Sequence, residues 1–162
     1  MEPPRRLTAG DDMAPVLAPV LALIRAAFAY MDGRIDPPSS MHLLTEATLA
    51  AEAARAELWV IGDAPLACVI LTPKPGRLYI GKLAVAEAAR GRGLGRALVT
   101  LAEARARVLC LPTLELQTRV ELVENHRTFE AMGFERSGAT SHPGYDRPTS
   151  FTYRRAVGAG GA

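Results

Sequence analysis

The chain has 162 residues, 49% hydrophobic and 22% charged, which suits one ordinary domain with a real core and leaves disorder only to the ends. A formal net charge of +2 is too balanced to argue for a nucleic-acid binder, so its arginines matter only where they cluster. Cys68 (in LACVIL) and Cys110 (in VLCLP) form no CxxC pair and are expected as buried, reduced core residues, and three scattered histidines complete no zinc set.

The N-terminal MEPPRRLTAGDD lacks the apolar core of a signal peptide. APVLAPVLALI, interrupted by Pro15 and Pro19, reads as too short and broken to span a bilayer, so a soluble cytoplasmic protein is expected. RRLTA (5–9) predicts a short strand. Asp11 or Asp12 is a fair N-cap for a helix running to about Tyr30, with Val16, Val20, Leu23, Ala27 and Tyr30 at three- and four-residue steps. Gly33 and the Pro37-Pro38 pair break it, and Ser39 and Ser40 offer the next N-cap, for a helix from Met41 to about Arg55. ELWVIG (57–62), PLACVILT (65–72) and RLYIGKLAV (77–85) predict three strands joined by tight turns. In the following helix Leu94, Leu98, Leu101, Ala104 and Val108 mark the buried face, with Arg96, Thr100, Glu103 and Arg107 opposite and Glu103–Arg107 as an i,i+4 pair. Pro112 closes it. TLELQT (113–118) is a strand, NHRTFEAM a helix ended by Gly133, and FERSGAT and TSFTYRR a last strand pair around SHPGYDRP. No repeat or linker is visible. The order predicts a single mixed α/β (α+β) domain over 1–156, with 157–162 as a fraying tail.

The segment ARGRGLGRAL (89–98) joins an apolar strand to an amphipathic helix. Glycines before a helix let the backbone approach a ligand, and the first helical turn offers unpaired N–H groups and partial positive charge. That combination is an anion cradle, ringed here by Arg90, Arg92 and Arg96. It is not a P-loop, having neither GxxxxGK[ST] spacing nor the Lys-Ser/Thr. A dinucleotide fingerprint fails too, because Arg96 stands where its third glycine belongs and several strands precede the loop. On the loop alone, a basic turn without a ligand stays open.

With its flanks, LAV-x4-RGRGLGRAL fits a strand, then [RQ]xxGx[GA] at Arg90, Gly93 and Gly95, then a helix; a strand and a helix ending Met132-Gly133-Phe134-Glu135 follow. This resembles the GNAT N-acetyltransferase family, well over residues 57 to 155 and only in element order before that. The resemblance implies a mixed, mostly antiparallel sheet of about six or seven strands flanked by about four helices, with one parallel pair splayed. It implies acetyl-CoA as co-substrate, no metal, no nucleic acid or membrane partner, a small-molecule amine as acceptor, and a possible homodimer. The pyrophosphate maps to Arg90, Gly91, Arg92, Gly93, Leu94, Gly95 and Arg96, and the pantetheine to Leu83, Ala84 and Val85. Asn125 suits the pantetheine or acyl region, with N-capping of its helix as the alternative. Phe129 falls in the same region and departs from the pattern: the family often places there the tyrosine that protonates the departing thiolate, and phenylalanine has no proton to give.

The implied reaction is direct attack of a neutral amine on a thioester, needing an oxyanion donor, a base and an acid. The N–H of Val85 suits the first. Glu121 is a candidate base, or else a solvated carboxylate. Tyr145 and Tyr79 are candidate acids, or else a loop anchor and a packed strand aromatic. Glu115 alternates with Leu114 and Leu116 and faces away from them, and His142 is of the residue type whose unperturbed pKa suits proton work, or else is merely an exposed loop histidine. YMDGRIDPPSS and SHPGYDRPTS are expected to flank the acceptor, offering Asp32, Arg34, Asp36, Ser39, His142 and Tyr145, with Asp146 and Arg147. Both signs fit a zwitterion; mutual salt bridges are the alternative. A non-catalytic acyl-CoA-binding module and a protein acetyltransferase are the rival functions.

Overall fold

A computed structural model describes residues 2–8 and 13–158. The proposed caps Asp11 and Asp12 lie outside the described residues, as does the tail beyond Gly158. Seven strands form one sheet: β1 (Arg5–Leu7), β2 (Glu57–Ile61), β3 (Ala67–Lys74), β4 (Arg77–Val85), β5 (Thr113–Arg119), β6 (Glu135–Thr140) and β7 (Ser150–Ala156). Their order is β1-β2-β3-β4-β5-β7-β6, and every neighbouring pair is antiparallel except β4 and β5.

Four helices cover the sheet: α1 (Ala14–Phe28), α2 (Glu46–Arg55), α3 (Leu94–Val108) and α4 (Val123–Ala131). Two cores result. Val20, Ile24 and Leu49 of α1 and α2 pack with Leu58, Val60 and Ile70 on one face. Leu94, Leu98 and Ala102 of α3 pack with Leu71, Leu78, Leu114, Leu116 and Phe134 on the other.

The two prolines do not break α1. Pro15 sits in the first turn, where no intrahelical N–H is needed, and Pro19 forfeits only the bond to the carbonyl of Pro15. With its 3-10 extension to Met31, this helix makes an 18-residue segment of mean hydropathy 1.7, long and apolar enough by composition to cross a membrane. Here its apolar stripe covers the sheet.

The predicted helix from Met41 is divided. Ser39 caps a 3-10 turn at Ser40–Leu43, and α2 starts afresh where the Thr45 and Thr48 side chains bond each other's backbone N–H reciprocally. On α3 the buried face is Leu94, Leu98, Val99, Ala102 and Ala106, about a quarter-turn from the expected one, and Val108 is 67% exposed. Two alanines face the sheet, letting the helix lie close to it. Cys68 is buried as expected, but Cys110 is exposed, at φ 59° just past the helix end. The first residues of the expected tail are held: the Val157 N–H donates to the Pro112 carbonyl at 2.8 Å and that of Gly158 to Glu103 at 3.0 Å.

Glu115 is buried on the face opposite Leu114 and Leu116, between Arg77 at 3.0 Å and Arg154 at 2.8 Å. Burial pushes its carboxyl up, but hydrogen bonds and charge from the two guanidiniums outweigh that and hold it below the ordinary value. A depressed carboxylate stabilises the fold above its unfolded-state pKa, about 4.3, and the gain is lost as pH falls through the lower folded value. Glu115→Gln should cost about 2 kcal/mol near neutrality and flatten part of the acid-side loss of stability in denaturant titrations. An unchanged acid slope in the variant would contradict this.

Candidate active site

β4 and β5 pair only at Leu78–Leu114 and Tyr79–Glu115, and then part. A bulge in β4 accompanies the parting. Between the pairs Ile70–Gly81 and Cys68–Ala84, β4 takes three steps where β3 takes two, with Lys82 at φ 50° absorbing the extra residue. The buried Cys68 thiol donates to the Lys82 carbonyl at 3.6 Å, and burial pushes that thiol up to about 12, so it stays protonated.

A cleft of about 800 Å³ opens between the parted strands. Its walls are β4 from Tyr79 to Val85, β5 from Leu116 to Arg119, the C-terminal end of α1, and Asn125 and Phe129 of α4. Arg90 and Gly95 bring the glycine loop to its edge. Gly91 and Gly93 adopt φ +81° and +78°, and a Cβ at either would meet nothing within 4 Å. Gly93 caps α3 without any side-chain hydrogen bond, so the first-turn N–H groups are left for a ligand. Leu94 is buried beneath the loop, while Arg90, Arg92 and Arg96 are exposed around it.

The sequence-derived residues divide on placement. Leu83, Ala84, Val85, Tyr79, Asn125, Phe129, Ser39 and His142 line the cleft. Asn125 does not cap its helix: Leu122 holds that position, and the Asn125 amide donates to the Tyr30 hydroxyl at 3.0 Å across the cleft mouth. Tyr145 is not among the residues lining the cleft, and it anchors its loop. Its hydroxyl donates to Asp36 at 2.5 Å, and that bond, with some burial, raises its pKa. Glu121 accepts the Asp36 backbone N–H at 3.1 Å, and its other oxygen is buried without a partner among the described residues.

The charged acceptor candidates Asp32, Arg34 and Asp36 each have an ionic partner, mostly outside the candidate set. Arg34 meets Glu124 at 2.6 Å, Asp32 meets His42 at 2.8 Å, and Asp36 also takes Arg147 at 3.4 Å. Arg119, which sequence reading missed, donates to the Pro37 and Pro38 carbonyls at 2.7 and 3.1 Å. Loops 30–40, 119–125 and 141–149 are thereby tied into one rim. Lys82 and Tyr30 were missed as well; Gly81 inside a strand was the available sign of a bulge.

His142 is the best-oriented titratable group in the cleft. The Thr149 hydroxyl reaches the Thr140 carbonyl at 3.4 Å, accepts the His142 backbone N–H at 2.9 Å and contacts His142 Nδ1. A hydroxyl has one proton: with it on Thr140, Thr149 accepts from Nδ1–H and Nε2 is free to accept a proton, whereas with it on Nδ1 the Nε2 carries the ring proton. Burial and the neighbouring Arg119 charge lower the imidazole pKa, partly opposed by Glu121. No group of three His, Cys, Asp or Glu side chains among the described residues is placed to hold a metal ion.

The acetyltransferase (GNAT) family model matches residues 22–134, more than half of the chain. The chain belongs to the GNAT acetyltransferase family. No curated protein sequence matches it. Solved GNAT structures share the whole fold. The ribosomal-protein-S18-alanine N-acetyltransferase from Escherichia coli aligns over 98% of this chain and 96% of its own, with TM-score 0.67 and 16% identity. Ard1 from Thermoplasma volcanium aligns over 96% and 97%, with TM-score 0.70 and 16% identity. A chain of the NatC complex bound to Gag peptide and CoA aligns over 98% and 100%, with TM-score 0.64 and 21% identity. At these identities the likeness establishes the GNAT fold, including its single parallel strand pair.

If the rim is tied by the Tyr145–Asp36 contact, Tyr145→Phe should speed amide hydrogen exchange in residues 30–40 and 141–149 together. The helices α3 and α4 should keep wild-type protection. Exchange that rises in only one of the two loops would show that they are not coupled through this pair.

Proposed function

We propose that the protein transfers an acetyl group from acetyl-CoA to a primary amine by direct attack in a ternary complex. The observation carrying this is the continuity of three features: an uncapped glycine cradle, the free edge of β4, and a cleft through the parted strands that begins at that cradle. The residues fit the donor. Two glycines in left-handed conformation leave room for a pyrophosphate against helix N–H groups, and three arginines add charge. Beyond Tyr79, β4 has lost its β5 neighbour, so backbone groups near Leu83, Ala84 and Val85 are free to bond a pantetheine arm. Acetyl-CoA supplies the activated acyl group when bound; the rest falls to the chain.

The Val85 N–H is assigned to the thioester oxygen as it gains charge. Tyr79 is the assigned acid in place of Phe129. It lines the cleft, and burial followed by the Glu115 charge raises its pKa, keeping its proton available at neutral pH. His142 Nε2 is the assigned base, taking the amine proton directly or through one water. The acceptor is a small molecule, an amino acid or a peptide N-terminus. The last is supported by the fold shared with an N-acetyltransferase named for a ribosomal-protein alanine and with a chain of a complex bound to a peptide and CoA.

The donor assignment is tested at Gly95, whose Cβ would lie 3.9 Å from Val85 Cγ2, an ordinary contact. Gly95→Ala should melt at or above wild type, since alanine is favoured in a helix by about 0.5–1 kcal/mol. Gly95→Leu should remain folded and lose calorimetric CoA binding, together with the rise in melting temperature that CoA gives wild type. A folded wild type that ignores CoA would sink the proposal, and CoA binding without turnover of any amine would favour an acyl-CoA sensor.

The base assignment predicts a pH profile. With a lowered imidazole pKa, kcat/KM should hold through neutrality and fall only as pH drops below the ordinary histidine value of about 6.5. His142→Gln should remove that acid limb and reduce kcat by about 100-fold. Retention of the limb in the variant would move the base elsewhere, with Glu121 next in line.

A further inference from the structure

Beyond the glycine loop, the cations near the cleft fall into three groups. Arg119 is held by the Pro37 and Pro38 carbonyls. Arg34, Arg77, Arg147 and Arg154 each meet a carboxylate. Arg55, Lys74 and Lys82 meet none among the described residues, and all three line a second cleft of about 460 Å³. This cleft lies between α2 and the β3–β4 pair. Tyr79, Gly81 and Lys82 belong to the walls of both clefts. Gly81 carries no side chain to obstruct the way between them; a Cβ there would press on the Tyr79 ring at 3.3 Å.

Lys82 is the least expected of the three. The bulge turns it out of the strand alternation at φ 50°, and its ammonium donates to the Ser40 hydroxyl at 3.0 Å, where Ser40 lines the first cleft. A hydroxyl is a neutral partner, so two ammonium donors remain. Burial lowers the Lys82 pKa and the Glu52 charge partly restores it, as expected for an ammonium short of a close counterion. The Lys74 ammonium stands 4.4 Å from the Tyr79 ring centre. The Arg55 guanidinium bonds only its own helix, at the Ala51 carbonyl, 3.4 Å away. Glu52 is the one carboxylate in the cleft, against three cations. A desolvated, under-paired cation is costly unless something anionic completes it.

We propose that the second cleft binds the anionic group of the acceptor, a carboxylate or a phosphate, so that the preferred substrate is an amine that also carries an acid. The proposal rests on the acyl-transfer reading and specifies its acceptor. The acid docks among Lys82, Lys74 and Arg55, and the amine reaches past Gly81 and Tyr79 into the first cleft. It stands in place of the zwitterion site expected at Asp32, Arg34 and Asp36, whose charges are already taken by His42, Glu124 and Arg147.

Two measurements test it. In the first, kcat/KM is compared at fixed acetyl-CoA for β-alanine, O-phosphoethanolamine and the uncharged propylamine. Wild type should prefer at least one anionic amine by about tenfold or more, and whichever anion wins identifies the acid. Lys74→Gln and Lys82→Gln should bring the ratio towards unity, mainly through KM. If Lys82→Gln does not fold, Lys74→Gln, at the strand end, carries the comparison. Equal or better turnover of propylamine by wild type, or a ratio untouched by the variants, overturns the proposal.

The second measurement needs no catalysis. Labelling of Lys82 and Lys74 by an amine-reactive reagent, read by peptide mass spectrometry, should slow severalfold in glutarate or inorganic phosphate. Protection without turnover of any amine would overturn the transfer reading and keep the anion site. Turnover without charge preference or protection would do the reverse, and absence of both would remove both.

Discussion

The site depends on one mismatch: β4 spends three residues where β3 spends two. A non-glycine residue at positive φ costs about 1–2 kcal/mol, and here Lys82 is held there by the sheet on one side and the α1 core on the other. The extra residue re-aims the end of β4. Beyond Tyr79 the strand no longer follows β5; on one face α3, with Phe129 of α4, packs with residues of both strands, and on the other α1 packs against β4. A regular strand would have zipped to β5 along its length and closed the cleft. The bulge also places the Lys82 ammonium at the junction of two clefts, out of the packed interior.

Charge serves structure first and leaves little over. Glu57 and Glu115 are both buried, and each is clamped by arginine: Arg105 at 2.8 Å for the first, Arg77 and Arg154 for the second. Glu103 gathers Arg107, Arg155 and the Gly158 N–H, fixing the chain end against α3. The rim loops use the same means in a wetter setting, where each pair is worth little alone but several converge on Asp36 and Arg119. Positive charge without a carboxylate is therefore informative at this site. Among the described residues, the arginines around the glycine loop and the three cations behind β4 meet no carboxylate, one group at a helix start in solvent and the other along a cleft.

What could be read in the sequence was what is local. The glycine loop, the strand before it and the helix after it are contiguous, so Arg90, Gly93 and Gly95 announced themselves. The succession of strands and helices along the chain followed from turns and alternation, and even the opposed directions of Glu115 and Leu114 were legible from a period of two. The rim was not. Tyr145 and Asp36 are separated by 109 positions, and nothing near either residue shows that they meet. Arg119 could not be assigned because its partners are the Pro37 and Pro38 carbonyls, which any residue type would supply. The face of α3 was misjudged because hydrophobic size was followed, while the sheet selected Ala102 and Ala106 for their smallness. Cys110 was taken for core by its neighbours, although the helix ends there and turns its side chain to solvent.

The two cores bear on the order in which the reaction's partners meet. The glycine loop belongs to α3, on one face of the sheet, whereas the second cleft belongs to α2, on the other. The gap between β4 and β5 connects the faces. Under the proposed reaction the donor and the acceptor need not share an entrance: the donor lies along β4 from the α3 side and the acceptor amine arrives from the α2 side. A ternary complex then follows from topology without any domain closure, since each ligand fills space the other does not use. The two groups proposed to move protons line the same gap, Tyr79 on β4 and His142 on a rim loop.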